Sequence, residues 1–404
     1  MDNYLIIADD FTGANDTGVQ LKKRGIKTNV ILDTKNINDF SISYVIDTES
    51  RGLTEKDAYE KVKNQIKKLF TQDFELVYKK VDSTLRGNIV SEIKAVDEEY
   101  KPELIIFAPA FPDIKRTTID GIQKLNDVRI VDTEVAKDPK KPVKEDNINK
   151  LLQKGFEEKI VHYGLNEIRE KNISFKKGRV YTFDVKNNED MLKIVKSALD
   201  TGKRILWVGS AGMADSILKV KKPFKPSLGV VGSISDISRQ QLKYAEGCGM
   251  QILKINISKL LKDETIESYI SSSLEILNKG KDLIITSAYE REDYKEAVSA
   301  GQEKNLSKEE VSMYTQEILG EIAIEIIKRV KISGIFLTGG DTAIGFINKA
   351  KASGSSIVEE VITGIPLMKL TGGEFNGLKI ITKAGAFGKN EAIEYCMRKL
   401  KEDI

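Results

Sequence analysis

Short apolar runs rich in β-branched residues recur along this chain, and segments with helical periodicity separate them. In the first half these runs cover residues 4–8, 28–32, 76–81, 104–108 and 205–209. In the second half they cover residues 228–232, 251–255, 283–286 and 334–338. Strands that alternate with helices usually pair in parallel, because each helix carries the chain back to the same end of the sheet. The pattern predicts an α/β fold of two Rossmann-like domains with mainly parallel sheets.

A segment rich in proline and lysine, KVKKPFKPS at 219–227, interrupts the alternation near the middle of the chain. A chain of 404 residues exceeds the size at which one hydrophobic core usually keeps growing. We therefore predict one domain at 1–220 and a second at 226–404, joined by this segment as a linker.

The composition argues against several function classes. No apolar run approaches the ~20 residues of a membrane-spanning helix, and the N-terminal MDNYLIIADD has no basic leader, so we expect a cytoplasmic protein without a membrane partner. Lysine and arginine total 64 against 61 acidic residues, and this net charge of +3 gives no reason to expect a nucleic-acid partner. The one histidine, His162, excludes a Ser-His-Asp triad of the familiar sort together with a multi-histidine metal centre, and we expect it to be structural. Cys248 and Cys396 lack metal-type spacing, and we expect both to be buried fillers.

An acidic cluster follows the first predicted strand. The segment IADDFTGANDTG at 7–18 places Asp9, Asp10, Asn15 and Asp16 within one turn region. Carboxylates this close repel one another unless a cation, a basic side chain or a hydroxyl donor shares the site. Helix capping by Asp10 is the simpler explanation for a single residue, whereas the whole cluster favours a ligand site.

Basic and hydroxyl residues that could compensate this charge follow later strands. Arg51 lies in TESRG at 48–52, and KKVDSTLRG at 79–87 supplies Lys80, Asp82, Ser83 and Arg86. Arginine binds a carboxylate through two parallel charge-assisted hydrogen bonds, and aspartate accepts hydrogen bonds from hydroxyl groups. Together these residue types predict a pocket for a polyhydroxylated acid.

Glycine-rich turns dominate the second half. Three follow predicted strands and lead into predicted helices, and a fourth, TGGEFNG at 371–377, lies between two strands; the three are GSISD at 232–236, TGGDTAIGF at 338–346 and AGAFGKNEA at 384–392. A helix N-terminus at the carboxyl end of a parallel strand presents free N–H groups to a phosphate, and glycine lets the backbone approach it closely. These turns predict a nucleotide or phosphate site, although neither a Walker A lysine nor a GxGxxG helix start is present.

In this ordered series of motifs the chain resembles the four-carbon acid sugar kinase family over nearly its full length. The resemblance rests on IADDFTGANDTGVQ at 7–20, KVDSTLRGN at 80–88, PAFPDIKRT at 109–117, TEVAKDP at 133–139, GSAGMA at 209–214, VVGSIS at 230–235, TGGDTA at 338–343, GIPLMKL at 364–370 and TKAGAFG at 382–388. It implies an N-terminal acid-sugar-binding domain, a C-terminal nucleotide-binding domain, and transfer of the ATP γ-phosphate to the 4-hydroxyl of a tetronate. D-Threonate or D-erythronate is the expected acceptor, with a 3-oxotetronate as the alternative.

The resemblance also implies roles for individual residues. Those expected to hold the acid are Asp10, Asn15, Arg51, Lys80, Asp82, Ser83 and Arg86. Those expected to hold ATP are Ser233, Gly339, Gly340, Asp341, Thr342 and Gly385. Mg²⁺ is expected with the nucleotide rather than at a metal site made of protein ligands alone. One departure is Lys115, where the family is expected to have glycine.

Phosphoryl transfer depends on positioning and charge neutralisation more than on covalent help, so it needs no histidine. Either Asp10 or Asp341 could accept the hydroxyl proton, and the sequence does not rank them. A homodimer is expected only from the general frequency of dimers. A non-catalytic sensor of a sugar acid or nucleotide, and a hydride-transfer enzyme that uses a dinucleotide, are the competing hypotheses from other classes.

Overall fold

The structure is a computed structural model that describes residues 2–170 and 173–403. These residues divide into two units. The first unit runs as far as Pro223 and includes Asp403, and the second unit is Phe224–Glu402.

The first unit contains eleven strands and seven helices among its described residues. The strands are β1 (Tyr4–Ala8), β2 (Thr28–Ile31), β3 (Ser43–Asp47), β4 (Leu76–Lys80), β5 (Leu104–Ala108), β6 (Arg116–Ile119), β7 (Ile122–Leu125), β8 (Val128–Arg129), β9 (Ile160–Tyr163), β10 (Val180–Phe183) and β11 (Ile205–Gly209). The helices are α1 (Phe11–Lys23), α2 (Glu55–Ile66), α3 (Ile89–Tyr100), α4 (Ile148–Gln153), α5 (Leu165–Glu170), α6 (Asn188–Leu199) and α7 (Ala211–Lys221).

Eight strands of the first unit form one parallel sheet in the order β2-β3-β1-β4-β11-β5-β10-β9. Every residue of β1, β3, β4, β5 and β11 is buried, because helices cover both faces of the sheet. Strands β6, β7 and β8 form a separate small antiparallel sheet.

The second unit repeats the α/β plan with seven strands and seven helices in its described part. The strands are β12 (Leu228–Val231), β13 (Gln251–Lys254), β14 (Leu283–Thr286), β15 (Ile335–Thr338), β16 (Gly354–Ile362), β17 (Ile365–Thr371) and β18 (Lys379–Lys383). The helices are α8 (Asp236–Gly247), α9 (Ile257–Leu261), α10 (Glu267–Asn278), α11 (Arg291–Glu303), α12 (Lys308–Arg329), α13 (Gly340–Lys349) and α14 (Ala392–Lys399). The sheet order is β13-β14-β12-β15-β18-β17-β16, in which the first five strands are parallel and the β16–β17 hairpin adds two antiparallel strands.

The predicted fold class is therefore confirmed, since both large sheets are mainly parallel. Two smaller predictions are wrong. The linker begins later than residue 219, because α7 continues to Lys221, where lysines in the last turn offset the partial negative charge of the helix end. Cys248 is exposed just beyond α8, whereas Cys396 is buried on α14 as expected. No helix in the described ranges is both long and apolar enough to cross a membrane.

Candidate functional site

Charged residues of the first unit gather where β1, β3 and β4 end. Strand β1 lies between β3 and β4, and the chain leaves it towards β2 and β3 on one side and returns to β4 on the other. Such a switch in strand order opens a crevice at the carboxyl edge of a parallel sheet. The charged cluster at this edge consists of Asp9, Asp10, Arg51, Lys80, Asp82, Ser83 and Arg86.

Arg51 links the two aspartates that follow β1. Its Nε and NH2 atoms donate to Asp9 at 2.7 and 3.1 Å, and its NH1 and NH2 atoms donate to Asp10 at 3.0 and 2.7 Å. Burial alone would lower the pKa of Arg51, but ion pairing with Asp9 raises it above its ordinary value. Asp10 also accepts from the Gly13 amide at 3.2 Å and so caps α1. The guanidinium that was expected to hold the substrate acid is thus engaged by the protein's own carboxylates.

Lys80 ends β4 inside the cluster and is only 6% exposed. Its Nζ donates to the Val81 carbonyl at 3.2 Å. A Cβ on Gly13 would lie 2.8 Å from this Nζ and 2.6 Å from Asp10 Oδ1, so the glycine makes room for both groups. Burial lowers the pKa of Lys80, and the negative charges of Asp9, Asp10 and Asp82 oppose that shift.

Asp82 and Arg86 form a second ion pair in the turn after β4. Arg86 Nε donates to Asp82 Oδ2 at 2.5 Å, and Arg86 NH1 donates to Asp138 at 3.3 Å. The Thr84 hydroxyl also donates to Asp82 Oδ2, at 2.6 Å. Burial would raise the pKa of Asp82, but these donors hold it below its ordinary value. The carboxylate therefore stays ionised and can accept a hydrogen bond from a ligand hydroxyl.

Arg116 joins the cluster through Ser83, although we did not predict a role for it. Its NH1 donates to Ser83 Oγ at 2.5 Å, and Gln123 Nε2 holds the Ser83 carbonyl at 2.7 Å. The motif PAFPDIKRT contained the signal, an arginine soon after a strand end, but its distance in sequence from the other cluster residues hid the contact.

A buried ion pair that the sequence analysis also missed lies beneath the cluster. Lys79 Nζ lies 2.8 Å from Glu92 Oε2, and these side chains are 0% and 1% exposed. Ser50 donates to the other oxygen of Glu92 at 2.7 Å. Burial raises the pKa of Glu92, and Lys79 opposes this effect. Two adjacent lysines in an otherwise apolar central strand were the available signal.

Asn15 and Lys115 are the remaining residues that the sequence analysis singled out in the first unit. Asn15 is exposed on α1, and its amide donates to the Phe11 carbonyl at 2.8 Å, so the structure does not bring it together with the other predicted residues. Lys115 has a φ of 55° and a ψ of 36°, which is the left-handed region that glycine adopts without strain. That conformation is the physical reason to expect glycine at this position.

The glycine-rich turns of the second unit occupy one edge of its sheet. Strands β12, β15 and β18 are parallel neighbours, and their carboxyl ends lead into GSISD, TGGDT and AGAFG. A Cβ on Gly385 would lie 2.4 Å from Ser233 Oγ, and one on Gly232 would lie 2.3 Å from Thr342 Oγ1. The three turns are thus packed against each other. The fourth turn, 371–377, follows β17, which is antiparallel to β18, so it lies at the opposite edge and grouping it with the others was wrong.

In the loop after β18, residues 384–389, two side chains donate hydrogen bonds to the backbone carbonyl groups. Lys383 Nζ donates to the carbonyls of residues 384, 385 and 387 at 3.0, 3.0 and 3.2 Å. Gln241 Nε2 donates to those of residues 387, 388 and 389 at 3.0, 3.1 and 2.9 Å. Within the described part of the chain, the amides of residues 385, 386, 388 and 389 make no hydrogen bond. A loop whose carbonyls are bonded within the protein while several of its amides stay unbonded is able to bind an anion through those amides.

Helix α13 begins beside this loop. The Gly339 amide donates to the Lys383 carbonyl at 3.0 Å, and Thr342 is buried while Gly340 and Asp341 are exposed. Apart from its chain neighbours and the nearby backbone of α13, no heavy atom of the described residues lies within 4 Å of a Cβ built on Gly340. In the described part of the chain the amides of residues 340–342 make no hydrogen bond, as is usual in the first turn of a helix, and such amides can bind a phosphate; Asp341 lies at the same end.

Comparisons with known proteins match the two units separately. A model described as "Sugar-binding N-terminal domain" matches residues 4–217, and one described as "Nucleotide-binding C-terminal domain" matches residues 228–393. A D-threonate kinase of Salmonella typhimurium is 31% identical over 96% of both chains. A D-erythronate kinase of Heliobacterium modesticaldum is 27% identical over 100% of this chain and 99% of its own. A Bordetella bronchiseptica domain of unknown function, solved with bound citrate as a domain-swapped dimer, superposes with a TM-score of 0.68 at 27% identity, covering 99% of this chain and 98% of its own.

Proposed function

This chain belongs to the four-carbon acid sugar kinase family, and from that premise we propose that it transfers the γ-phosphoryl group of ATP to the 4-hydroxyl of D-threonate or D-erythronate. The observation that carries the proposal is the charged cluster, where aspartate carboxyl groups are paired with arginine guanidinium groups at the carboxyl edge of the unit that matches the sugar-binding model. A four-carbon sugar acid offers one carboxylate and several hydroxyls, which such a surface complements.

In this proposal Asp10 and Asp82 accept hydrogen bonds from substrate hydroxyls. Lys80 and Arg86 supply positive charge, and Ser83 belongs to the turn after β4 that contacts the acid. Arg51 acts by neutralising Asp9 and Asp10, which could not otherwise share the site without a large electrostatic cost. The contacts of Asn15 lend no support to its predicted role.

The three glycine turns and the N-terminus of α13 are proposed to hold the ATP phosphates through Ser233, Gly339, Gly340, Thr342 and Gly385. An open cavity of about 850 Å³ lies beside the 384–389 loop and is partly lined by Val361, Ile362 and Tyr395. Cavities of this size with some apolar lining accommodate nucleotides and other small ligands, and we assign the adenosine to it.

Mg²⁺ fits this site as a partner of the nucleotide. Among the described residues no cluster of three or more acidic, cysteine or histidine side chains could hold a metal. Mg²⁺ in phosphoryl-transfer enzymes usually takes one or two carboxylates together with phosphate oxygens, and exposed Asp341 could supply such a carboxylate. When bound, the ion neutralises charge on the phosphates.

Either Asp10 or Asp341 remains the proposed acceptor of the hydroxyl proton. Asp10 is already hydrogen-bonded to Arg51, and its position beside the other cluster residues suits a role in orienting the hydroxyl. We further propose that the enzyme is cytoplasmic and homodimeric, in keeping with the dimeric Bordetella structure.

The test is an ADP-release assay with MgATP and a panel of D-threonate, D-erythronate, L-threonate and 3-oxotetronates. We expect turnover with D-threonate or D-erythronate above that with the other acids. Absence of turnover with every acid of the panel would falsify the proposal. Binding of MgADP to a chain that turns over none of them would support a sensor instead.

A further inference from the structure

We propose that Arg116 is the residue that binds the substrate carboxylate and thereby makes the enzyme specific for sugar acids over uncharged polyols. This inference rests on the proposed function and deepens it. It assigns to one residue the acid recognition that was expected of Arg51 and Arg86.

Arg51 and Arg86 are already paired with carboxylates of the protein. Arg51 donates four hydrogen bonds to Asp9 and Asp10. Arg86 pairs with Asp82 through Nε and with Asp138 through NH1. A substrate carboxylate that bound to either guanidinium would have to displace a protein carboxylate or crowd beside it, and like charges repel.

Arg116 is different, since no carboxylate lies within ion-pairing distance of it in the part of the chain that the structure describes. Among the described residues its side chain makes one hydrogen bond, to a neutral acceptor, Ser83 Oγ, at 2.5 Å. Its Nε is buried and finds no hydrogen-bond partner in these same residues. A guanidinium has five N–H donors, and buried donors normally have hydrogen-bond acceptors. The Arg116 side chain therefore has donors left over for an acceptor on a ligand.

Arg116 is also held firmly in place. Its backbone N–H and C=O pair with Phe111 at 3.1 and 2.7 Å. Two strand positions further on, Thr118 donates to Gln123 at 2.6 Å, and Gln123 in turn holds the Ser83 carbonyl. The small sheet therefore fixes Arg116 against the turn that carries Asp82 and Arg86. A fixed guanidinium loses little freedom when it binds a planar carboxylate in a bidentate manner.

Lys80, a cation of the charged cluster, also forms no ion pair in the described ranges. However, Asp9, Asp10 and Asp82 surround its ammonium group closely enough to oppose the effect of burial on its pKa. An additional anion there would meet three negative charges, whereas Asp82, the acidic residue beside Ser83, is already bonded to Arg86. The carboxylate is therefore placed at Arg116, which leaves the substrate hydroxyls to the aspartates.

The test compares the wild type with Arg116→Gln, Arg116→Lys and a matched control, Arg169→Gln. Arg169 is also an arginine of the first unit, but it pairs with Asp190 on another part of the surface. Calorimetry measures the Kd for the preferred tetronate and for its uncharged carboxamide, and the Kd for MgADP reports the integrity of the second unit. A melting curve reports the fold of each variant.

We expect Arg116→Gln to weaken tetronate binding by at least about thirtyfold and to abolish the preference for the acid over the amide. The tetronate Kd of Arg116→Lys should fall between those of the wild type and Arg116→Gln, because lysine keeps the charge but loses the bidentate geometry. The Kd for MgADP and all constants of Arg169→Gln should stay within about twofold of wild type. If Arg116→Gln keeps the acid-to-amide preference, this inference is overturned while the proposed function stands. If the wild type binds no four-carbon acid, both are overturned.

Discussion

Replacement of Lys383 by methionine should stabilise the second unit near neutral pH and weaken nucleotide binding at the same time. Lys383 is 3% exposed and has no acidic partner among the residues that the structure describes. Burial lowers the pKa of its ammonium group from 10.5 to about 8. The Cys396 thiol nearby provides no counter-charge at neutral pH, because burial raises its pKa to about 12.

The size of the effect follows from the pKa. The difference between 10.5 and about 8, at about 1.36 kcal/mol per pKa unit, corresponds to roughly 3 kcal/mol. Below pH 8 the lysine is protonated in both the folded and the unfolded state, so the folded state bears this whole cost. Between pH 8 and 10.5 the folded state releases its proton first, so the cost declines as pH rises.

The hydrogen bonds lost with the ammonium group offset only part of this gain. The carbonyl of residue 385 keeps donors from Ser235 and Ser238, and that of residue 387 keeps Gln241. The carbonyl of residue 384 keeps the amide of residue 387. Because no carbonyl loses its last donor, we expect a net stabilisation of about 1 to 3 kcal/mol at pH 7, falling to about 1 kcal/mol or less at pH 9.5.

Urea denaturation at pH 7 and 9.5 would measure this change, with hydrogen exchange of second-unit peptides as the probe. The single tryptophan is Trp207 on β11 and reports only the first unit. Calorimetry should show MgADP affinity about tenfold weaker in Lys383→Met, because the 384–389 loop loses its central cation. Lys331→Met, an exposed lysine that precedes β15 at the opposite edge of the sheet, is the control and should change neither quantity. A variant that is less stable than wild type at pH 7, or that binds MgADP normally, would refute the reasoning.

Three other substitutions test separate features. Gly340→Val should leave the free protein folded, since nothing lies within 4 Å of the added Cβ, yet it should weaken MgADP binding at least about tenfold in calorimetry; an unchanged affinity would remove this turn from the nucleotide site. Lys115→Gly should raise the free energy of unfolding of the first unit by up to about 1 kcal/mol, since it relieves a φ of 55°; a lower urea midpoint by Trp207 fluorescence would contradict this. Glu92→Gln should cost about 3 kcal/mol by leaving the Lys79 ammonium buried without its carboxylate, and Lys79→Met in the same chain should recover most of the loss.

The edge on which each site lies could be predicted from the sequence, because residues that follow parallel strands share one end of a sheet. Asp10, Asp82 and the turn at 338–342 were placed in this way. The direction of a strand could not be predicted from its composition. Strand β17 therefore carried the 371–377 turn to the opposite edge, although its apolar content resembles that of β15. Strand β3 was overlooked because its sequence, SYVID, mixes polar and apolar residues.

Which charged residues pair with each other could not be predicted from the sequence either. Composition shows that arginines and aspartates both follow strands, but only three-dimensional geometry shows which arginine already has a partner. Arg51 was expected to hold the substrate acid, and only the structure shows that its guanidinium already bonds Asp9 and Asp10. Arg116, about 30 residues beyond Ser83 in sequence, contacts it through the small antiparallel sheet, which no local periodicity predicted.

Each unit places a buried lysine at the carboxyl end of a strand in its large sheet. Lys80 is the last residue of β4 and Lys383 is the last residue of β18, and each ammonium group donates to the carbonyl of the following residue. Burial lowers the pKa of both, so both lysines cost folding free energy at neutral pH. A chain that served stability alone would have a methionine or leucine at these positions. A buried cation that forms no ion pair within the described ranges complements an anion that arrives from solution, because the bound anion raises the lysine pKa and so strengthens its own binding. For Lys383 the anion that fits is a nucleotide phosphate, whereas Lys80 already faces the negative charges of Asp9, Asp10 and Asp82 and offsets them beside the substrate hydroxyls.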